Sequence, residues 1–107
     1  MTLIEIIKLV GNLLSEIDAV LSDPRLDVNS PEWQQLWALR EHLDDRQREL
    51  VTAQIKQDTA QYAEITAKLA VTNQQLEGTL HDIKRISDTI KAVSTVASIV
   101  DTLLNFA

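Results

Sequence analysis

The sequence predicts an all-α fold: an elongated helical hairpin or three-helix bundle with coiled-coil-like heptad packing. Three observations carry that expectation. The 107 residues include two glycines and two prolines, too few for the turns of a β-sandwich, a phosphate-cradling loop or a dinucleotide fingerprint. Hydrophobic residues make up 45% of the chain while Phe, Trp and Tyr contribute only 4%, so the apolar mass is chiefly aliphatic. These residues recur at helical spacings of three, four and seven. The length fits a single domain over residues 1–107.

The first helix is expected over about 2–21. Leu3, Ile7, Val10, Leu14, Ile17 and Leu21 alternate steps of four and three, and Ile6, Leu13 and Val20 widen the stripe. Such a face is broad enough to pack against two neighbours. Gly11 inside it costs about 1 kcal/mol relative to Ala and would permit a close approach by another helix. Residues 22–30 read as a loop, because Pro24 stops the helix and Asp27, Asn29 and Ser30 are turn and cap residues. Ser30-Pro31-Glu32 then starts the second helix: a Ser N-cap, Pro at the first helical position and an acid facing the dipole.

From Pro31 onward there is no proline and only Gly78. Leu36, Leu43 and Leu50 repeat every seven residues, with Leu39 between the first two. Ile55, Tyr62, Leu69, Leu76, Ile83, Ile90, Ala97 and Leu104 repeat every seven in another phase, beside a companion series at Ile65, Thr72, Thr79, Ile86, Val93 and Val100. The five-residue step from Leu50 to Ile55 fits neither series and predicts a turn at 56–60, with Asp58 and Gln61 as a cap pair. The second helix is therefore expected over about 31–56. The third is expected over about 59–105: a second break at Gly78-Thr79 is the less favoured reading, since the register runs through it unbroken, and a register shift in one long helix is the alternative to the turn at 56–60. A third helix of about 70 Å outruns a second of about 40 Å, leaving Ile86 to Phe106 for the first helix, about 30 Å long, to cover. A three-helix bundle with the first helix folded back on the second is the other arrangement. So thin a bundle struggles to bury this much apolar surface, which predicts a homodimer or a protein partner.

Chemistry is sparse. The absence of cysteine excludes disulfides, thiolate metal sites and thiol catalysis. His42 and His81 have Leu39 and Gly78 three residues before them, where a di-metal bundle places Glu. Glu77 and His81 read as a surface pair on one helix, two ligands being too few for a metal. Acids and bases interleave along the second helix, where Asp44–Arg48 and Asp45–Arg48 offset the like-charge pair Glu41–Asp45, as on a solvated face. No catalytic, metal or cofactor site and no small-molecule substrate is expected. Sixteen acids against ten bases, a net charge of −6, argue against nucleic acid.

The candidate partner-binding residues are therefore apolar. Trp33 and Trp37, four apart, read as anchors of the loop or as a hot-spot pair. Val93, Val96, Ile99, Val100, Leu103, Leu104 and Phe106 make Ile90 to Phe106 apolar nearly all round, the mark of a helix buried in protein or membrane. The expectation is a non-catalytic helical interaction module: an adaptor, chaperone or assembly subunit. A membrane-associated amphipathic protein is the first alternative. A small acidic inhibitor or immunity-type protein, binding a basic partner, is the second. A cytoplasmic location is expected, since the apolar start lacks a basic n-region and the uncharged run Ala92 to Val100 is too short to span a membrane.

Overall fold

Thr2 opens the chain's first helix with a capping box. Its hydroxyl accepts from the Glu5 amide at 3.2 Å, and the Glu5 carboxylate accepts from the Thr2 amide at 3.1 Å. In the computed structural model, which describes residues 1–106, this helix is α1 (Leu3–Leu21). It is followed by α2 (Pro31–Thr52), α3 (Ala60–Glu77), a 3₁₀ turn (Ile83–Arg85) and α4 (Ile86–Leu104). The all-helical class is as expected, but the bundle has four helices.

The ends of α1 and the start of α2 fall where the sequence places them; the rest needs correction. The second helix stops at Thr52 rather than 56, and Ala53 leaves it in an extended conformation. The third helix begins at Ala60 under a Thr59 cap, whose hydroxyl accepts from the Tyr62 amide at 3.1 Å; Asp58 is not the cap. The expected helix over 59–105 is two helices. The chain leaves α3 at Gly78, and the Leu80 amide bonds back to the Leu76 carbonyl at 2.8 Å. Asp82 then caps the next turn by accepting from the Lys84 amide at 3.1 Å. The physical reason is length. A continuous helix of about 70 Å would leave most of its apolar stripe uncovered, whereas two helices of about 27 Å match α1 and α2. Leu80 and Thr79 are buried in the resulting hairpin.

Helix α2 packs on α1 and on α4, and α3 packs on α4. The N-terminus of α1 meets the start of α3, where the Tyr62 hydroxyl donates to the Met1 carbonyl at 2.6 Å and the Leu3 amide donates to Gln57 Oε1 at 3.0 Å. The helices thus follow the order α1, α2, α4, α3 around the bundle. Neighbours within each hairpin are antiparallel, and neighbours between hairpins are parallel. The preferred packing of the first helix on the C-terminal half of a long third helix is replaced by α1 folded back on α2.

One core runs the 43 Å length of the molecule. Ile6, Val10 and Ile17 from α1, Leu36, Leu43 and Leu50 from α2, Leu69 and Leu76 from α3, and Val93, Val96, Val100 and Leu103 from α4 are essentially inaccessible. The heptad leucines of α2 all point inward. In α4 the buried set follows Val93 and Val100; of the other series Ala97 is buried, while Ile90 and Leu104, and Ile83 in the preceding turn, are only half-buried. A fourth helix supplies surface that a three-helix bundle lacks, so this core closes within one chain. The core threonines are satisfied locally. Thr72 donates to the Lys68 carbonyl at 2.9 Å, and Thr89 donates to the buried Thr79 hydroxyl at 3.0 Å. Gly11 does mark a close approach, since a Cβ there would lie 2.9 Å from Gln47 Nε2, which donates to the Ile7 carbonyl at 3.2 Å.

Candidate functional site

The α1–α2 connection holds two tryptophans in different environments. Asp27 organises the turn: its carboxylate accepts from the Asn29 amide at 2.9 Å, and its carbonyl accepts from the Ser30 hydroxyl at 2.6 Å. Ser30 caps α2 by accepting from the Trp33 amide at 3.2 Å, with Pro31 next. Buried Leu26 pins the loop from beneath. Asp23 takes a two-pronged contact from Arg25, Nη2 at 2.7 Å and Nε at 3.1 Å, and that contact lowers its carboxyl to about 2.

Trp33 reaches back to α1. Its indole Nε1–H donates to the Leu21 carbonyl at 2.9 Å, satisfying an acceptor that the end of a helix leaves free, and its ring packs against the core. Trp37, one turn on, stacks on Trp33 with centroids 5.8 Å apart and planes 11° from parallel. It is nevertheless 45% exposed. Trp33 is thus the anchor, and Trp37 is a surface ring stacked on that anchor.

The ground beside Trp37 is charged and internally paired. Arg40 clasps Asp18 of α1 through Nε at 2.9 Å and Nη2 at 3.3 Å, and reaches Glu41 at 3.1 Å and Asp44 at 3.8 Å. Donating to the Asp18 carboxylate raises the guanidinium above its ordinary value. Asp44 also accepts from Arg48 at 2.9 Å, and Asp45 lies 3.9 Å from the same side chain, so the charge pairing expected along this helix is present. A second cluster spans α2 and α4, where Asp101 takes His42 at 2.9 Å and Arg46 at 3.0 Å. His81 faces Glu16 of α1 at 3.9 Å rather than Glu77, because the helix has ended before it. Among the described residues no group of three or more His, Asp or Glu is placed to hold a metal ion. Nor is any described helix long and apolar enough to cross a membrane.

The remaining candidate residues divide. Val93, Val96, Val100 and Leu103 are spent on the bundle core and Ile99 is 8% exposed, so the wide apolar face of α4 is covered within the chain, while Lys91, Ser94, Ser98 and Thr102 form its exposed face. Leu104 is half-buried and packs at the core's edge. Phe106 is 43% exposed, but at the end of α4, far from the start of α2, so it does not join the tryptophans. Sequence reasoning missed a shallow apolar groove between α3 and α4, lined by Ala67, Val71, Thr95 and Ile99. Its signal was Val71, which falls outside both seven-residue series and is 55% exposed. It also missed Ile4 and Val51, both exposed by about two thirds of their surface, 66% and 65%. No family model, curated protein or solved structure matches the chain.

Proposed function

We propose that this chain is a non-catalytic helical interaction module, an adaptor, chaperone or assembly subunit, whose partner docks on Trp37. The single observation behind this reading is that Trp37 is exposed yet stacked on a neighbouring ring. An indole that contributes little to the core is stacked on a second indole, itself fixed to the α1 terminus, so docking on it costs little side-chain entropy. Asp18, Glu41 and Asp44 outnumber Arg40 and Arg48, the bases paired with them, and that negative excess favours a partner that brings an apolar strip flanked by Lys or Arg.

The test is affinity capture from the native host with the wild type and with Trp37→Ala, followed by calorimetric titration of the recovered partner. Wild-type chain should bind one partner with a salt-sensitive affinity. Trp37→Ala should bind it at least tenfold more weakly while its circular dichroism is unchanged. A partner held equally well by Trp37→Ala, or no partner at all, refutes this assignment of the surface.

A further inference from the structure

The bend between α3 and α4 interrupts a seven-residue series that the sequence carries straight through it. Tyr62, Leu69 and Leu76 lie before the bend, Ile90, Ala97 and Leu104 after it, and Ile83 at its centre keeps the spacing. The bundle accounts for this continuity only in part: Ala97 is buried, but Ile83, Ile90 and Leu104 are only half-buried, while α4 buries Val93, Val96 and Val100. The bend also lacks the residues that force one. Residues 78–85 contain no proline, no described residue has a positive φ, and Gly78 sits at φ −77, ψ −16, a helical conformation. Asp82, at φ −115 and ψ 101, is in extended backbone.

We infer that a second copy of this chain is a partner of the α1–α2–α3 face, the two chains exchanging α4 by straightening the α3–α4 bend into one helix. Geometry requires the exchange once the bend straightens. A continuous helix from Ala60 to Leu104 is about 67 Å long, and the bundle is 43 Å, so α4 leaves its own α1 and α2 and seats on those of the other copy. The straightened helices pair about a two-fold axis at Ile83, which meets its own equivalent, while Leu76 meets Ile90. The residues already facing one another across the hairpin lie about the same centre. Thr79 bonds Thr89, and Val71 and Ala67 share a groove with Thr95 and Ile99, so the exchange rebuilds these contacts between chains. Ile83 and Ile90 gain the burial that the closed form denies them. This association goes beyond the Trp37 surface and does not depend on it.

The experiment is light scattering after gel filtration of protein refolded from denaturant over a range of concentrations. Wild type should yield a dimer whose share grows with refolding concentration and which dissociates slowly on dilution. Gly78→Ala places a Cβ 3.4 Å from the Gln75 carbonyl, ordinary contact, and favours helix through the bend; it should raise the dimer share several-fold. Ile83→Pro suits the hairpin, since the Ile83 amide makes none of its backbone bonds and Asp82 already has the extended conformation a pre-proline residue takes. It should abolish the dimer and leave the monomer folded. The chain has no cysteine, so His42→Cys/Asp101→Cys with a short bis-maleimide reports directly which α4 contacts which α2. The dimer fraction should become covalently dimeric and the monomer fraction should not. Absence of dimer in both wild type and Gly78→Ala, a dimer in Ile83→Pro, or cross-links confined within one chain in the dimer fraction would each overturn the inference. The double-cysteine arm decides the matter should Ile83→Pro fail to fold.

Discussion

Trp33 and Trp37 differ in what they do for the fold, and the difference can be measured. Replacing a fully buried Trp by Ala costs about 3–5 kcal/mol. Trp33 is only partly buried, so its loss of packing scales to about 2 kcal/mol, and loss of the bond to the Leu21 carbonyl adds about 0.5–1.5 kcal/mol. Trp33→Ala should therefore destabilise by about 2–3 kcal/mol after the better helix propensity of Ala is counted. Trp33→Phe keeps a ring but loses the donor, and should cost about 1–2 kcal/mol. At Trp37 the terms nearly cancel. Its stacking contributes about 0.5–1.5 kcal/mol, and Ala recovers about 0.5 kcal/mol of propensity, leaving a net cost of about 0–1 kcal/mol. Urea titrations followed by circular dichroism, with the double mutant closing the cycle, give all the terms. The two changes should be coupled by about 0.5–1.5 kcal/mol. In heat, Trp33→Ala should lower Tm by roughly 10–20 °C and Trp37→Ala by a few degrees. A Trp37→Ala cost equal to that of Trp33→Ala would show Trp37 to be a structural residue, and the docking argument would fall with it. Zero coupling would refute the stacked pair.

Gly11→Ala in the wild type should change stability by less than about 0.5 kcal/mol, because a gain of about 1 kcal/mol in helix propensity is offset by displacing Gln47 from the Ile7 carbonyl; in a Gln47→Ala background the same change should stabilise by about 1 kcal/mol in urea denaturation. Thr79→Val strands the buried Thr89 hydroxyl and should cost about 1–3 kcal/mol, while Thr79→Val/Thr89→Val should recover most of that loss; a double mutant as unstable as the single would count against the hydroxyl pair. Tyr62 is the only tyrosine, so tyrosinate absorbance reports it alone. Burial, followed by the nearby Glu5 charge, raises it above its ordinary 10.0, so the neutral form is favoured in the folded chain. Its contribution is complete below the unfolded value near 10 and is lost as pH rises through the higher folded value; spectroscopic titration of native protein should have a midpoint above 10, falling to 10 in denaturant.

Where a local chemical signal specified an element, the sequence was readable. Ser30-Pro31-Glu32 determined the start of α2, and Pro24 the end of α1, because capping and proline sterics act within a few residues. The inward set Leu36, Leu43 and Leu50 followed from spacing alone. Gly78 marked the α3–α4 bend only as the less favoured reading, since no residue there forbids a helix; it forms because Leu80 and Thr79 are buried only when α4 doubles back. That is a tertiary effect, and the seven-residue series pointed the other way. The fourth helix also changes the burial argument, because four helices enclose within one chain a core that three leave open. At the candidate site, the pairing of the tryptophans was legible from their spacing. Which of them faces solvent was decided by the distant Leu21 carbonyl, which a one-dimensional pattern does not locate.

The order of helices around the bundle sets how the polypeptide assembles. Within each half, α1 with α2 and α3 with α4, contacts join segments a short loop apart, whereas α2 with α4 and α1 with α3 join the halves. Only the crossing over residues 53–59 links the two hairpins, and it lies against the amino terminus through Gln57. A proteolytic nick there severs no helix and removes no core residue except the tether of Ile55. The severed halves should stay associated at micromolar concentrations and part on dilution, turning a unimolecular fold into a bimolecular one whose dissociation constant measures how strongly the hairpins hold each other.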